Sequence, residues 1–315
     1  MIDDHYSEQV VLFDGQAISF PRTSNELKQD SLMAAGDAAV LLSNQTSLEQ
    51  MAHLQHQDSH IYMCFQSIQK MQPAFDHVLI DIIVADPLAH LVLQASRHSK
   101  QTDTLQQRLQ TSLKERLCGN EAIDCPAMKK AYDRIHFLPR VKSDEVLDLI
   151  QKASVVLHPF PFGGSKTASD VINAGVPLVT YPQAYLRGRM AAVFIKSMAL
   201  EEVDPDLGSC CIASNPSDYV TKAVRLASDD DYRSRVAKAI QHRSDRIFDD
   251  KSVSFEWGRL LTRALQVRIS DEEIRTNVGF VPQARHEDEY MSKAIEDEQA
   301  RWRRSVGLGQ KLNAQ

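Results

Sequence analysis

Runs of consecutive apolar residues recur through the middle of the chain and alternate with stretches of helical spacing. The runs predict buried strands at 61–65, 90–95, 134–138, 154–157 and 176–180. Between them, apolar residues recur every three or four positions and predict helices from Pro73, at 102–117, at 143–153 and after the loop 158–167. Further helices are predicted at 185–197, 216–228, 229–246 and 252–265.

This alternation predicts an α/β fold. Strands that are apolar throughout are typical of a parallel sheet covered by helices on both faces. Strand–helix–strand repeats of this kind form right-handed crossovers. The expected fold class is therefore a Rossmann-like parallel sheet with helices on both faces, followed by a helical C-terminal extension.

The composition excludes several functional classes. The chain has 315 residues, of which 43% are hydrophobic and 25% charged, as in an average globular protein. Apolar stretches stay well short of the roughly 18–20 residues that a membrane-spanning helix needs. The formal net charge of −6 gives no overall positive field for nucleic acid. We therefore expect neither nucleic acid nor a membrane as a partner.

The cysteines bear on metal binding and on the compartment. Five are present without the paired C-x-x-C spacing of a zinc site, so we expect no metal site. An odd count, together with polar first residues instead of a signal peptide, predicts reduced thiols. The expected location is cytoplasmic or nucleocytoplasmic.

The loop 158–167 reads His-Pro-Phe-Pro-Phe-Gly-Gly-Ser-Lys-Thr and connects a predicted strand to a predicted helix. Ligands of open α/β sheets bind beyond the carboxyl ends of the strands, and N–H groups at a helix N-terminus attract anions. This loop has three features that suit a phosphate. Gly163 and Gly164 allow the backbone to approach closely, Ser165 and Thr167 supply hydroxyl donors, and Lys166 supplies a positive charge. The alternative is a glycine-bearing loop with an ordinary serine N-cap.

Two further residues belong to this region. Asp170 falls in the second turn of the predicted helix, where a carboxylate either stabilises the helix dipole or accepts both hydroxyls of a ribose. His158 directly follows the predicted strand and is interpreted as a strand-end residue.

Six motifs follow one another in order between residues 134 and 192. They are FLP at 137–139, VVL at 155–157, PFPFGGSKT at 159–167, DV at 170–171, AGVPLVT at 174–180 and GRMAA at 188–192. Their order and spacing resemble the C-terminal half of the O-linked N-acetylglucosamine transferase family, including its bacterial relatives and the related peptide N-glucosyltransferases. The segments 6–9 and 65–70 resemble the end of the preceding half and the start of this one, and weaker similarity reaches about residue 265.

The resemblance implies a B-type glycosyltransferase fold, in which two Rossmann-like halves face each other and the C-terminal half binds the nucleotide-sugar. The chain would then consist of a remnant of the N-terminal half at 1–60, a nucleotide-sugar-binding domain at 61–270 and a charged, helical or disordered tail at 271–315. The family's candidate base histidine and acceptor surface belong to the N-terminal half. We expect both to lie outside this chain, on a partner that supplies the missing half.

The resemblance also implies roles for individual residues. Lys70 matches the lysine that binds the donor diphosphate and stabilises the leaving group, and the tripeptide 165–167 matches the diphosphate-binding helix start. Asp170 matches the ribose-binding acid. Arg140 and Val141 match the pair whose backbone contacts the uracil base.

Some positions depart from the family pattern. Ser165 and Lys166 replace a His and a Thr, Gln66 and Ser67 replace an Asn-Gln pair near the sugar, and Val146 replaces a His beside the nucleoside. Charge and hydrogen-bonding capacity survive these changes, so a diphosphate site is still expected. The identities of the sugar and of the base stay open.

The function implied is that of a metal-independent UDP-glycosyltransferase without a cofactor. It would move N-acetylglucosamine or glucose from a UDP-sugar to a Ser/Thr or Asn side chain of a protein. A second interpretation, suggested by the missing half, is a non-catalytic nucleotide-sugar-binding or interaction module from a truncated or degenerate gene. A third, an epimerase or sugar-lipid transferase of the same architecture, would need an N-terminal Rossmann half or a membrane-facing apolar patch.

Overall fold

In a computed structural model of the chain, the described residues are 17–22, 51, 54, 59–119, 125–141, 143–183 and 186–266. The chain divides into two compact units. The larger unit spans Phe20–Asp249, and the smaller one combines Met1–Ser19 with Asp250–Gln315. All the candidate site residues belong to the larger unit.

A five-stranded parallel sheet forms the centre of the larger unit. Its strands are β1 (His60–Cys64), β2 (Ala89–Gln94), β3 (Ile135–Leu138), β4 (Val155–Leu157) and β5 (Leu178–Val179). Their spatial order is β3-β2-β1-β4-β5, and each adjacent pair is parallel. Because the order reverses between β1 and β4, right-handed connections place helices on both faces. The predicted α/β class is confirmed.

Helices connect the strands and extend beyond the last one. They are α1 (Pro73–Ala85), α2 (Ser99–Cys118), α3 (Pro126–Tyr132), α4 (Ser143–Ile150), α5 (Ser165–Asn173), α6 (Met190–Met198), α7 (Pro216–Ser228) and α8 (Asp230–Arg243). The sequence pattern predicts all of these except α3, which has only seven residues. In the part of the chain that the structure describes, no helix is long and apolar enough to cross a membrane.

Local sequence signals explain many of the element bounds. Leu105, Leu109 and Leu113 lie on one face of α2 at four-residue spacing and are fully buried. Pro73 occupies the first turn of α1, where its missing N–H is not needed for an intrahelical bond. Gly175, with a φ of +71°, follows the end of α5 in the left-handed region that favours glycine.

The boundary between β1 and β4 joins distant parts of the chain. The Ile61 N–H donates to Ser154 Oγ, 93 residues away, at 3.0 Å. The neighbouring Tyr62 hydroxyl instead donates to Asp86, 24 residues away, at 2.7 Å. The two sides of the sheet therefore come from separate stretches of sequence that meet at this boundary.

The smaller unit is described at 17–19 and 250–266. Its helix α9 (Lys251–Gln266) matches the helix predicted at 252–265. Trp257 Nε1 donates to the Ala17 carbonyl at 3.0 Å, which links the two segments. Most of 1–60 and all of 271–315 lie outside the described residues. The three predicted domain ranges remain predictions.

The cysteines differ in part from the expectation of reduced thiols. Cys64, Cys210 and Cys211 are free and buried. Cys118 and Cys125 form a disulfide, with their Cα atoms 6.2 Å apart. For this pair the expectation is wrong, because the two Cα atoms lie within the range that a disulfide spans.

Candidate functional site

The candidate site lies where the strand order reverses. The loops that follow β1 (65–72) and β4 (158–164) leave the sheet at its carboxyl edge, one on each side of the β1–β4 boundary. Doubly wound folds bind their ligands at this topological position. A backbone bridge between Met71 and Pro161 joins the two loops. The structure therefore brings the loop that carries Lys70 next to the glycine-bearing loop.

Lys70 ends a single 3₁₀ turn and directs its ammonium toward the second loop. Its Nζ donates to Gln66 Oε1 at 2.9 Å and lies 5.1 Å from the ring centroid of Phe162. Partial burial lowers the pKa of Lys70 below its ordinary value, an effect opposed by interaction with Cys64. Contacts within the protein therefore hold this positive charge in place.

A buried ion pair supports the turn that carries Lys70. The Asp76 carboxylate is buried and accepts two hydrogen bonds from Arg108, both at 2.7 Å, in the bidentate geometry that these groups favour. Burial raises the pKa of Asp76, and its hydrogen bonds with Arg108 act against that rise. Arg108 also donates to the Met71 carbonyl at 2.9 Å. The pair thereby fixes the residue next to Lys70.

His158 organises the second loop as a buried, neutral side chain. The Gly164 N–H donates to His158 Nε2 at 3.0 Å, so the ring proton is assigned to Nδ1, which lies 3.0 Å from Thr180 Oγ1. Burial lowers the pKa of His158 to about 4. Because both ring nitrogens are engaged by contacts within the protein, His158 has the structural character of a strand-end residue.

The two glycines of the loop make room for buried side chains. A Cβ added to Gly163 would lie 1.8 Å from His158 Cε1. A Cβ added to Gly164 would lie 2.5 Å from the amide nitrogen of Gln66. Both distances are far below van der Waals contact. Position 163 therefore requires glycine for packing within the protein, and a side chain at position 164 would displace the Gln66 amide, before any ligand is considered.

Helix α5 begins directly after these glycines. Gly164 is its N-cap, is extended (φ −127°) and offers no side chain to the helix end. The Ala168 N–H donates to the Gly164 carbonyl at 3.0 Å. The N–H groups of Ser165, Lys166 and Thr167 precede this bond and have no carbonyl partner within the helix. Such a helix end has the geometry and partial positive charge that bind anions.

Lys166 and Asp170 form an ion pair along one face of α5. They are four residues apart, the spacing at which helical side chains meet. The Lys166 side chain is 69% exposed, whereas that of Asp170 is 17% exposed. The sequence predicts that Lys166 binds the diphosphate and that Asp170 binds the ribose, but in this structure the two side chains bind each other.

Phe162 lies between the site loops and a third segment, 186–189. Its ring is 36% exposed, and Arg187 Cζ lies 5.4 Å from its centroid. The Gly163 N–H donates to the Arg187 carbonyl at 3.0 Å, so the backbones are also in contact. Two cations, Lys70 and Arg187, therefore contact one aromatic ring.

Arg140 and Val141 follow β3 at the same carboxyl edge of the sheet, two strands away from β1. Arg140 is exposed, and Val141 packs against the core. Among the described residues, no hydrogen bond or ion pair joins either side chain to Lys70 or to the loop 158–167. Arg140 and Val141 therefore lie at the same edge of the sheet as Lys70 and the loop 158–167, without a side-chain hydrogen bond or ion pair to them among the described residues.

Sequence reasoning did not single out Arg187, or the pair Asp76 and Arg108, as parts of this region. The pair joins residues 32 apart in sequence, which leaves no local pattern. Arg187 has a weak signal, since it lies in a short segment with a second arginine and no acid. Within the described ranges, no group of three His, Cys, Asp or Glu side chains is placed to hold a metal ion.

Comparison with known proteins supplies a family. The sequence model of glycosyl transferase family 41 matches residues 22–255. A mutant O-GlcNAc transferase from Thermobaculum terrenum matches with a TM-score of 0.53 and 19% identity, covering 65% of this chain and 36% of that one. HepE (Alr3699) from Anabaena, solved in complex with UDP and glucose, matches with a TM-score of 0.44 and 17% identity over 70% of this chain and 52% of that one.

A UDP-forming trehalose-phosphate synthase from Burkholderia vietnamiensis matches with a TM-score of 0.46 and 9% identity, over 72% of this chain and 50% of that one. The chain thus spans between 36% and 52% of the length of these three structures. At these identities the likeness concerns the fold alone. The family match covers most of the sequence and includes every candidate site residue, and on this basis the chain belongs to glycosyl transferase family 41.

Proposed function

We propose that this chain is the donor-binding half of a glycosyltransferase. The reaction moves N-acetylglucosamine or glucose from a UDP-sugar to a Ser/Thr or Asn side chain of a protein. The observation that carries the proposal is the meeting of Lys70 with the loop that opens α5, at the point where the strand order reverses. Membership of glycosyl transferase family 41 supports it.

In this reaction the bond between the sugar's anomeric carbon and the β-phosphate oxygen breaks, and a bond to the acceptor oxygen or nitrogen forms. Negative charge develops on the departing diphosphate, and groups already aimed at that charge stabilise it. Lys70 and the N–H groups of 165–167 take this role. Lys70 is held by Gln66 at 2.9 Å, so little rearrangement is needed when the charge develops. With this charge in place the reaction is metal-independent and needs no cofactor.

The nucleoside lies along the same edge of the sheet. Asp170 accepts the ribose hydroxyls, and the backbone of Arg140 and Val141 contacts the base. Lys166 then turns from Asp170 toward the diphosphate. Its side chain is 69% exposed and free to turn, and the ribose hydroxyls replace the contact that Asp170, which is 17% exposed, loses.

The acceptor's proton goes to a base on the N-terminal half of the B-type fold, where the protein acceptor also docks. The cytoplasmic or nucleocytoplasmic location expected from the sequence is part of the proposal. Three free, buried cysteines support it, whereas the Cys118–Cys125 disulfide is of a kind more common outside the cytosol.

A second candidate is a nucleotide-sugar-binding module without catalysis. It is favoured by the pairing of Lys166 with Asp170, because two residues expected to bind the donor bind each other in this structure. Both candidates require the nucleotide to bind. They differ in turnover, which means donor hydrolysis or glycosylation of a protein by the chain.

Calorimetry of the full chain with UDP, UDP-N-acetylglucosamine and UDP-glucose tests the proposal. We expect a dissociation constant roughly in the micromolar range and a loss of about tenfold or more in Lys70→Ala, because a charge-assisted contact is removed. Lys196→Ala, an exposed lysine in the last turn of α6, is the matched control and keeps full affinity. A folded chain that binds neither UDP nor a UDP-sugar would contradict both candidates.

A further inference from the structure

Positive charge is concentrated in three segments that meet around Phe162, 65–72, 158–167 and 186–189. Their basic residues are Lys70, Lys166, Arg187 and Arg189, and together they contain no Asp or Glu. The whole chain has a net charge of −6, so this concentration is a local departure from its average. Lys166 pairs with Asp170, which lies just beyond the second segment. The other three cations lie in loops at the carboxyl edge of a parallel sheet, a position that favours an anionic ligand.

Lys70 and Arg187 are the two cations of this group that share a ring. Lys70 Nζ lies 5.1 Å and Arg187 Cζ 5.4 Å from the Phe162 centroid. Attraction to the ring stabilises each of the two cations. A diphosphate that reaches both side chains would bind two cations at once.

The backbone keeps Arg187 in this position. The Gly163 N–H donates to its carbonyl at 3.0 Å, which ties 186–189 to the loop that opens α5. The next residue, Gly188, is equally close, since a Cβ there would lie 2.6 Å from the Pro161 carbonyl oxygen. The backbone at Arg187 is therefore fixed against the loop that precedes the anion-binding helix end, and the side chain contacts Phe162 in that loop.

We infer that Arg187 is a second diphosphate-binding residue, which binds the donor together with Lys70 and is positioned by Phe162. This inference rests on the proposed function and extends it. A guanidinium suits this role because its fork donates two hydrogen bonds to one phosphate group. Arg187 strengthens donor binding and stabilises the charge that develops when the sugar leaves.

The test uses the full chain and three ligands of increasing charge: uridine, UMP and UDP. We expect Arg187→Ala to weaken UDP binding about tenfold and to leave uridine binding unchanged within about twofold, because only the phosphates are contacted. Arg187→Lys and Phe162→Leu give intermediate losses for UDP, since the first keeps charge without the fork and the second keeps apolar bulk without the ring.

Arg225→Ala is the matched control. Arg225 also stacks on an aromatic ring, with its Cζ 3.7 Å from the Tyr232 centroid, but lies in the last turn of α7. The Arg225→Ala variant should bind uridine, UMP and UDP with the same affinities as the unsubstituted chain. Thermal melts of every variant establish that the fold is kept. If Arg187→Ala fails to fold, Arg187→Lys replaces it in the test. A lower ratio of UDP affinity to uridine affinity than in the unsubstituted chain supports the inference, and an unchanged ratio overturns it.

Two results overturn the inference alone: UDP binding in Arg187→Ala equal to that of Arg225→Ala, or equal losses for uridine and UDP. A folded, unsubstituted chain that fails to bind UDP overturns the proposed function and this inference together. The two failures are therefore distinguishable.

Discussion

Gly164 donates its backbone N–H to Nε2 of His158 at 3.0 Å, across a turn of only six residues. The loop that opens α5 is thus folded around an imidazole from its own first residue. The ring occupies the space that a side chain at position 163 would need. The shape of the candidate anion site therefore depends on a neutral, buried histidine.

The first prediction concerns this packing. In Gly163→Ala the new Cβ would lie 1.8 Å from His158 Cε1, and such overpacking costs about 1–3 kcal/mol. We expect a lower free energy of unfolding in urea and weaker UDP binding. Gly258→Ala is the control, since a Cβ there meets nothing within 4 Å in α9. That change should stabilise by up to about 1 kcal/mol. Equal stability of the two variants would refute the packing argument.

The second prediction concerns pH. Burial lowers the pKa of His158 to about 4 from an ordinary value of 6.5. The unfolded chain therefore takes up this proton before the folded chain does, and stability falls as the pH is lowered from about 6.5 to about 4. This histidine contributes roughly 3 kcal/mol to that loss.

His158→Gln tests this dependence, because a glutamine can accept the Gly164 hydrogen bond but does not titrate. The unfolding free energy of this variant should fall less steeply over the same pH range. The pKa of His136 is also lowered to about 4. Because His136 and the carboxylates are present in both the unsubstituted chain and His158→Gln, their contributions to the pH dependence cancel in the difference between the two curves. Parallel curves would show that His158 is not the titrating group.

The third prediction concerns the ion pair behind Lys70. Arg108→Met leaves the buried Asp76 carboxylate without its partner, which should cost about 3–5 kcal/mol. Arg116→Met is the control on the same helix, because Arg116 pairs with the half-exposed Asp81 at 3.1 Å. That pair contributes only about 0–1 kcal/mol. Urea unfolding of both variants measures the difference, and similar losses would mean that Asp76 finds another partner.

The fourth prediction concerns the ion pair on α5. Lys166→Ala should weaken UDP binding about tenfold while changing stability by less than about 1 kcal/mol, as expected for an i,i+4 pair in which the lysine is exposed and Asp170 is largely buried. Asp170→Ala should also weaken UDP binding. Lys222→Ala is the matched control, since Lys222 pairs with Asp218 at the same spacing, at 2.6 Å. Equal UDP affinity in Lys166→Ala and Lys222→Ala would remove Lys166 from the site.

The sequence predicts the sheet well because its strands and helices follow local rules. The leucines of α2 are an example, since their four-residue spacing defines the buried face before any partner is known. The loop 158–167 is another, because a strand, two glycines and a helix start place it at the carboxyl edge. Both features depend on neighbours within a few residues.

The remaining features depend on contacts that local patterns do not contain. His158 meets Thr180 over 22 residues and Arg108 meets Asp76 over 32. The contact of Phe162 with Arg187 likewise exists only after separate loops pack together. Helix α3 was missed for a different reason, because its seven residues are too few to show a periodicity. Composition alone suggests reduced cysteines, and only the geometry joins Cys118 to Cys125.

The pairing of β1 with β4 has a consequence for the order of folding. Strands β1, β2 and β3 can associate within the first part of the chain, whereas the contact between Ile61 and Ser154 closes a loop of 93 residues. Closing a longer loop costs more chain entropy, and non-local pairing slows folding. The turn that carries Lys70 can therefore form early, whereas its contact with Phe162 forms only when β4 pairs with β1. A nucleotide that contacts both loops binds only after the sheet is complete. Its binding therefore stabilises the fully folded state and can be used to measure how much of the chain has folded.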